Sequence, residues 1–373
     1  MTPAAGIVDL SRGAPPAGLT TDVLVVGSGC GGATAAWRLA AAGRDVVVLE
    51  EGADRTGRRL TQRDAEMYDQ LYMDRGGRAT DDLAISILQG RVLGGGGVIN
   101  ACDVVPIPDG VLEFWVRRFG LADLTPARIA PYTRRALEDL SASPVRPEQV
   151  NRANALLRAG AEKLGLRGEL MMHNRVACAG LGTCLIGCPV DAKRNPRFVA
   201  IPAAIAAGAR FYTRSRAVRI EDASAEVKRV VVRTLDERGY RETGGFEVRA
   251  RAVILAANAI GSAQLLLRSG LGNEHVGRHL MLQPQLPITA FFEERVEAFY
   301  GIPQSYALTE FEEERHREHG LWGFRVEPVM GTPGIVASLL PFTGVEGKRM
   351  MALYPHVAAS LLLVPDEPSG TVG

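Results

Sequence analysis

The chain has 373 residues, 46% hydrophobic and 23% charged, enough to bury a large core and to form two domains or one two-lobed body. Its 43 Lys and Arg balance 42 Asp and Glu, and no basic run is interleaved with aromatics, so nucleic acid is excluded as an expected partner. Residues 1–20 contain Pro, Gly and Ala but no apolar stretch behind a basic start, and no later segment reaches bilayer length; no membrane span is expected, and a cytoplasmic location follows by default.

After this N-terminal extension, Asp22 to Val26 is a short apolar run, Ala33 to Ala42 is rich in good helix formers, and Asp45 to Leu49 is a second run rich in Val. The order reads as strand, helix, strand. Between the first strand and the helix stand Gly27, Gly29 and Gly32 in the spacing G-x-G-x-x-G, with Ser28 inside the turn. Gly27 permits the turn, Gly29 lets backbone approach a pyrophosphate, and Gly32 lets helix and strand pack closely. The helix N-terminus then faces the phosphates with unpaired N–H groups. Glu50 ends the second strand, where a carboxylate accepts hydrogen bonds from a ribose diol and repels a 2'-phosphate. The unit predicts a bound dinucleotide other than NADP, and does not choose between FAD and NAD.

Residues 52–90 are polar with weak periodicity and read as a surface excursion. Four consecutive glycines, Gly94 to Gly97, then strip the backbone of side chains between Arg91 and Asn100, as needed where something flat lies against the chain. Apolar Leu157, Ala161 and Leu164 predict a helix over 147–166. A further helix is expected near 201–207, strands at 217–220, 229–235 and 246–255, and an antiparallel sheet with long loops from 286 to 364.

Three segments carry a family resemblance. Arg91 to Asn100 (RVLGGGGVIN) resembles the R-x-L-G-G-S-S-x-x-N segment of the glucose-methanol-choline oxidoreductases, with Gly96 and Gly97 in place of the usual hydroxyl residues. Val253 to Ser262 (VILAANAIGS) with Gln264 to Gly272 (QLLLRSGLG) is similar to that family's second signature, and Val276 to Pro284 (VGRHLMLQP) to the stretch that follows it, with Gln283 where many members have His. The resemblance implies an α/β fold with an α+β second lobe: a Rossmann-like FAD-binding domain over 21–285, with a helical, Cys-rich excursion at 110–195, and part of an antiparallel-sheet substrate domain over 286–373. It implies FAD held by the Gly27 turn, Glu50 and the glycine run, with Val218 passing the adenine and Ala257 beside the cofactor. No His lies between Arg91 and Asn100, so the FAD is expected to be non-covalent. The implied function is transfer of hydride from an alcohol to flavin, with oxygen or another electron acceptor as second partner.

Two features stay open. Cys178, Cys184 and Cys188 resemble a segment of the long-chain alcohol oxidases, which precedes a pair like Ala192-Lys193, and one of iron-sulfur sugar dehydrogenase subunits that pass electrons to a cytochrome. Ala179 stands where the latter have another cysteine. Three thiolates could hold an iron-sulfur cluster; buried free or disulfide-linked cysteines are the simpler reading, and no metal is expected. The family's catalytic base is a His from a C-terminal segment, and none of His173, His275, His279, His316, His319 and His356 stands in its context. The resemblance therefore implies a chain truncated within the substrate sheet, its base supplied by a further segment or a second polypeptide, or else a FAD-binding subunit without catalysis of its own.

Overall fold

The computed structural model describes residues 6–312, 323–329 and 331–373. The chain divides into two compact units: residues 1–99, 186–281 and 367–373, and residues 100–185 with 282–366. Among the described residues, no helix is long and apolar enough to cross a membrane.

The first unit is built on a seven-stranded sheet in the order Ile7–Asp9, Arg210–Thr213, Val46–Glu50, Leu19–Val26, Glu242–Leu255, Lys228–Leu235, Ser215–Glu221. The first five strands run parallel and the last two are antiparallel additions. Alternation explains why the apolar runs form strands: Val23, Val25, Val46 and Val48 face one core with Ala33, Ala36 and Ile201, while Leu24, Val26, Val47 and Leu49 face another with Val230, Val232 and Leu265. Both faces are buried, as parallel strands require. Helices Cys30–Ala41 and Ala200–Ala206 supply small residues to the first face, so they lie close on the sheet.

The Rossmann-like order predicted from the N-terminal sequence is present, and its boundaries are wider. The first strand starts at Leu19, and Ile7–Asp9 is itself an edge strand, so part of the segment expected as an N-terminal extension belongs to the sheet. Residues 52–90 are more than an excursion. Helix Asp64–Leu71 buries Met67 and Leu71, which pack with Leu60, Tyr72, Val92, Val98 and Ile186 in a separate core. Their spacing of four is helical, but one apolar pair in a charged stretch is too weak a period to stand out.

The second unit carries a five-stranded antiparallel sheet, Gln285–Phe291, Val357–Leu363, Arg325–Val329, Tyr306–Leu308, Gly168–Leu170. Its last strand comes from the segment expected as an excursion of the first domain, and this pairing ties residues 100–185 to the second sheet. Helix Arg152–Leu164 is capped by Asn151, whose Oδ1 accepts from the Asn154 amide at 3.1 Å. It packs Leu157 and Ala161 against Tyr306 and Leu308. Leu164, assigned to the same face by spacing, is 73% exposed, because the helix ends there at Gly165.

Candidate functional site

The site in the first unit begins with the turn after strand Leu19–Val26. Gly27 has φ +101°, and a Cβ there would lie 2.4 Å from the Ala256 carbonyl oxygen, so only glycine fits. A Cβ on Gly32 would lie 2.0 Å from the Gly27 oxygen, which is the close helix-to-turn packing expected of the third glycine. At Gly29 a Cβ would meet nothing within 4 Å. Gly29 is also the N-cap of helix Cys30–Ala41, has no side-chain cap, and is followed by no acidic residue in the first turn. An uncapped N-terminus beside open space is a site for an anion.

The glycine run meets this turn directly. Gly95 has φ +56°, and a Cβ there would lie 2.8 Å from Gly29 Cα. Gly96 next to it faces open space. Two backbone segments without side chains thus touch, and both border one cavity of about 520 Å³.

A hydrogen-bonded chain fixes the two segments to the end of the second parallel strand. The Gly94 amide donates to Ser28 Oγ at 3.0 Å, and that hydroxyl donates to Glu50 Oε2 at 2.6 Å. Glu50 Oε2 also accepts from the Ser28 amide at 3.1 Å and Oε1 from the Gly52 amide at 2.7 Å. Burial pushes the Glu50 carboxyl up, while these donors pull it down. Three donors occupy most of its roughly four lone-pair sites, and Glu50 also lines the cavity.

Of the residues expected to hold a cofactor, Gly27, Ser28, Gly29, Glu50, Arg91, Gly95, Gly96 and Ala257 line this cavity. Gly32, Gly94, Gly97, Asn100 and Val218 do not. Gly94 and Gly97 are packing glycines, tight against Arg197 and Pro196. Asn100 is exposed at the end of the short helix Gly96–Ile99. Ala217 lines the cavity where its neighbour Val218 does not, and the strand register shifts between Ala217 and Arg219.

The side chain of Arg91 does structural work at the wall. Its Nη1 donates to the Gly239 carbonyl at 2.9 Å and Nη2 to that of Arg238 at 3.2 Å, and its guanidinium lies 4.4 Å from the Tyr240 ring centroid. The spacing argument missed Glu51, Arg78, Gln89, Arg216 and Arg268, which also line the cavity. Arg216 pairs with Glu51 at 2.8 Å and Arg78 with Asp74 at 2.8 Å. Glu51 had a signal in its adjacency to Glu50; Arg216 and Arg268 had none, since long-range strand and helix placement brings them here.

None of the four described histidines lines the cavity. His173 is buried in the second unit, and His275 and His279 are exposed with ring nitrogens 3.0 Å apart. His356 Nδ1 lies 3.0 Å from the Glu294 carbonyl, and His316 and His319 lie outside the described residues. Among the described residues, none of the five cysteines is joined in a disulfide. Cys178 and Cys184 belong to the second unit and Cys188 to the first. Among the described residues, no three His, Cys, Asp or Glu side chains are grouped so as to hold a metal ion.

The profile of the GMC oxidoreductases matches residues 68–285, and that of NAD(P)-binding Rossmann-like domains residues 25–84. An uncharacterised GMC-type oxidoreductase of Mycobacterium tuberculosis is 34% identical over 363 residues, covering 96% of this chain and 55% of that protein. A long-chain-alcohol oxidase of Arabidopsis thaliana is 29% identical over 364 residues, covering 94% of this chain and 48% of its own. The chain thus spans about half the length of the curated relatives it matches. In fold it is similar to pyridoxine 4-oxidase from Mesorbium loti, with TM-score 0.64 and 16% identity over 92% of this chain and 71% of that one. Formate oxidase of Aspergillus oryzae RIB40 gives TM-score 0.64 and 14% identity over 94% of this chain and 73% of its own. The strand and glycine-turn geometry, the second glycine run and these matches lead to one conclusion: the chain belongs to the GMC oxidoreductase family.

Proposed function

We propose that this chain binds FAD non-covalently and forms the cofactor-holding part of an enzyme that oxidises an alcohol. The observation that carries the reading is the meeting of Gly29 and Gly95, two bare backbone segments beside the Glu50 carboxylate on one cavity. Open space at Gly29 and Gly96 suits a group that must lie against backbone, and a cavity of about 520 Å³ has the size of a cofactor site.

When bound, the flavin supplies the hydride acceptor for the alcohol carbon. The chain's own contributions are binding and orientation. The N-terminus of helix Cys30–Ala41 offers N–H donors and the positive end of its dipole to the pyrophosphate. Glu50 accepts from ribose hydroxyls and disfavours a 2'-phosphate. Gly95 and Gly96 carry the backbone past the ring without a side chain between. No histidine stands in the Arg91 to Asn100 segment to form a covalent link.

Removal of the hydroxyl proton needs a base, and among the described residues no imidazole lines this cavity. We assign that role to residues other than the described ones around the cavity. The Cys178 to Lys193 segment and the likeness to a long-chain-alcohol oxidase support an apolar alcohol as substrate, with oxygen or another acceptor reoxidising the flavin.

A visible spectrum of the purified chain, followed by acid precipitation, tests the cofactor. Yellow flavin is expected in the supernatant; flavin retained in the pellet contradicts the non-covalent reading, and no flavin uptake on titration contradicts the site. Anaerobic addition of a long-chain alcohol to the full-length protein should bleach the flavin band, and an unbleached band with every alcohol tried refutes the reaction.

A further inference from the structure

The second unit has its own polar cavity of about 360 Å³, lined by Arg146, Arg175, Ser143 and Gln149 together with Cys178. Cys178 follows Ala177, held at φ +53° in a tight turn. Its sulfur accepts from the Gly180 amide at 3.4 Å and from the Arg175 guanidinium. The thiol is therefore fixed in direction and half-exposed. Arg175 is half-buried. Arg146 is exposed and, among the described residues, pairs at the surface with Glu148 at 3.1 Å, both side chains about two-thirds exposed. Such a pair is screened and weak, and leaves the guanidinium available to another carboxylate.

Among the five cysteines this combination is confined to Cys178. Cys102 is 2% exposed. Cys30 is exposed, but it lies outside this cavity and desolvation pushes its thiol up, and neither Cys184 nor Cys188 lines the cavity. A half-exposed sulfur in contact with one guanidinium, in a cavity that a second arginine also lines, suits a reactant that carries both a disulfide and carboxylates, because Arg binds carboxylate in a planar, two-bonded geometry.

We propose that Cys178 is a modification site for small disulfides bearing carboxylate groups, recruited by Arg146 and Arg175. In the step, the Cys178 proton goes to solvent and the sulfur attacks one sulfur of the reagent. A Cys178 Sγ–S bond forms and the reagent's S–S bond breaks. Cys178 is oxidised to the mixed disulfide, and the released half leaves as a thiolate that takes up a proton, so electrons balance within the exchange.

The test compares two aromatic disulfides on the whole chain, dianionic dithiobis(nitrobenzoate) and uncharged dithiodipyridine, with peptide mapping of the first thiol modified. Cys178 is expected to react first with the anionic reagent, and Cys178→Ser to remove that fast phase. Arg146→Ala should slow the anionic reagent roughly fivefold, the worth of one charge pair near the surface, and Arg146→Glu should slow it further, with the uncharged reagent unaffected by either. Added salt should narrow the difference between reagents. If the first thiol modified is another cysteine, the assignment to Cys178 is overturned. If both Arg146 variants leave the anionic rate unchanged, or slow the two reagents alike, recruitment by charge is overturned. Neither outcome depends on the cofactor, so the proposal stands or falls separately from the flavin reading.

Discussion

The hydroxyl of Ser28 donates to Glu50 Oε2 at 2.6 Å while accepting from the Gly94 amide at 3.0 Å. One buried side chain thus ties together the nucleotide turn, the acid that ends the second parallel strand and the start of the glycine run. Both partners are buried, Ser28 at 0% and Glu50 at 7% exposure, so removing the hydroxyl leaves an amide without its acceptor. Ser28→Ala is expected to cost about 1–3 kcal/mol of stability and to weaken flavin binding. Urea unfolding of the apoprotein and flavin titration check the two effects separately; unchanged stability would show that water replaces the hydroxyl.

Gly27 and Gly29, two positions apart, should respond in opposite ways. Gly27→Ala places a methyl 2.4 Å from the Ala256 oxygen at a positive φ, and is expected to destabilise the first unit by roughly 2 kcal/mol or more. Gly29 has φ −63° and open space around it. Gly29→Ala should leave the melting temperature of the apoprotein nearly unchanged and weaken flavin binding by tenfold or more, on the order of 1.4 kcal/mol. A melting temperature lowered equally by both substitutions would argue against open space at Gly29 serving a ligand.

Arg91 is predicted to act through structure. Its guanidinium donates to two carbonyls of the turn at Arg238 and Gly239 and stacks on Tyr240, and is 3% exposed. Arg91→Lys retains the charge but cannot reach both carbonyls in one plane, so it is expected to lose about 1–3 kcal/mol, with Arg91→Ala losing more. Thermal unfolding of the two variants tests this: if charge alone matters, Arg91→Lys should melt with the parent protein and only Arg91→Ala should be destabilised.

The second unit should become less stable as pH rises. Burial, with the nearby Asp103 carboxylate, pushes Glu327 up to about 7 from an ordinary value of 4.5, against the opposing pull of Arg325. Burial also raises Asp103. The folded form holds the Glu327 proton between these values while the unfolded form has released it, so stability present below pH 4.5 is lost as pH climbs through 7. The loss is on the order of 3 kcal/mol. Glu327→Gln, which preserves the shape beside Gln304 Nε2 at 2.9 Å, should flatten the dependence. Denaturation midpoints at pH 5 and pH 8 provide the measurement, and an equal slope in both proteins would rule out Glu327 as the source.

How far the site could be read from the sequence follows the range of the contacts involved. The Gly27 to Gly32 turn and Glu50 were legible because strand, turn, helix and acid lie within one local unit whose spacing is set by backbone geometry. Gly95 and Gly96 were legible as a place where backbone must be bare, but not that Gly94 and Gly97 on either side serve packing against Arg197 and Pro196. That division depends on which way each residue faces after the chain has closed.

What the sequence by itself determined is the dinucleotide unit: alternating apolar residues that must bury both faces of a parallel sheet, glycines where a Cβ cannot fit, and an acid at the strand end. Tertiary structure alone decided the rest of the wall. Arg216 and Ala217 reach it through a bulged strand that pairs across the sheet, Arg268 through the helix after Ala257, and Arg78 and Gln89 through a segment with too little periodicity to announce a core. It also joined Gly168–Leu170 to Tyr306–Leu308, placing residues 100–185 with the second sheet. This last pairing joins residues more than a hundred positions apart, and no local propensity encodes it; it forms because unpaired strand edges and half-buried apolar faces have lower free energy together than in water.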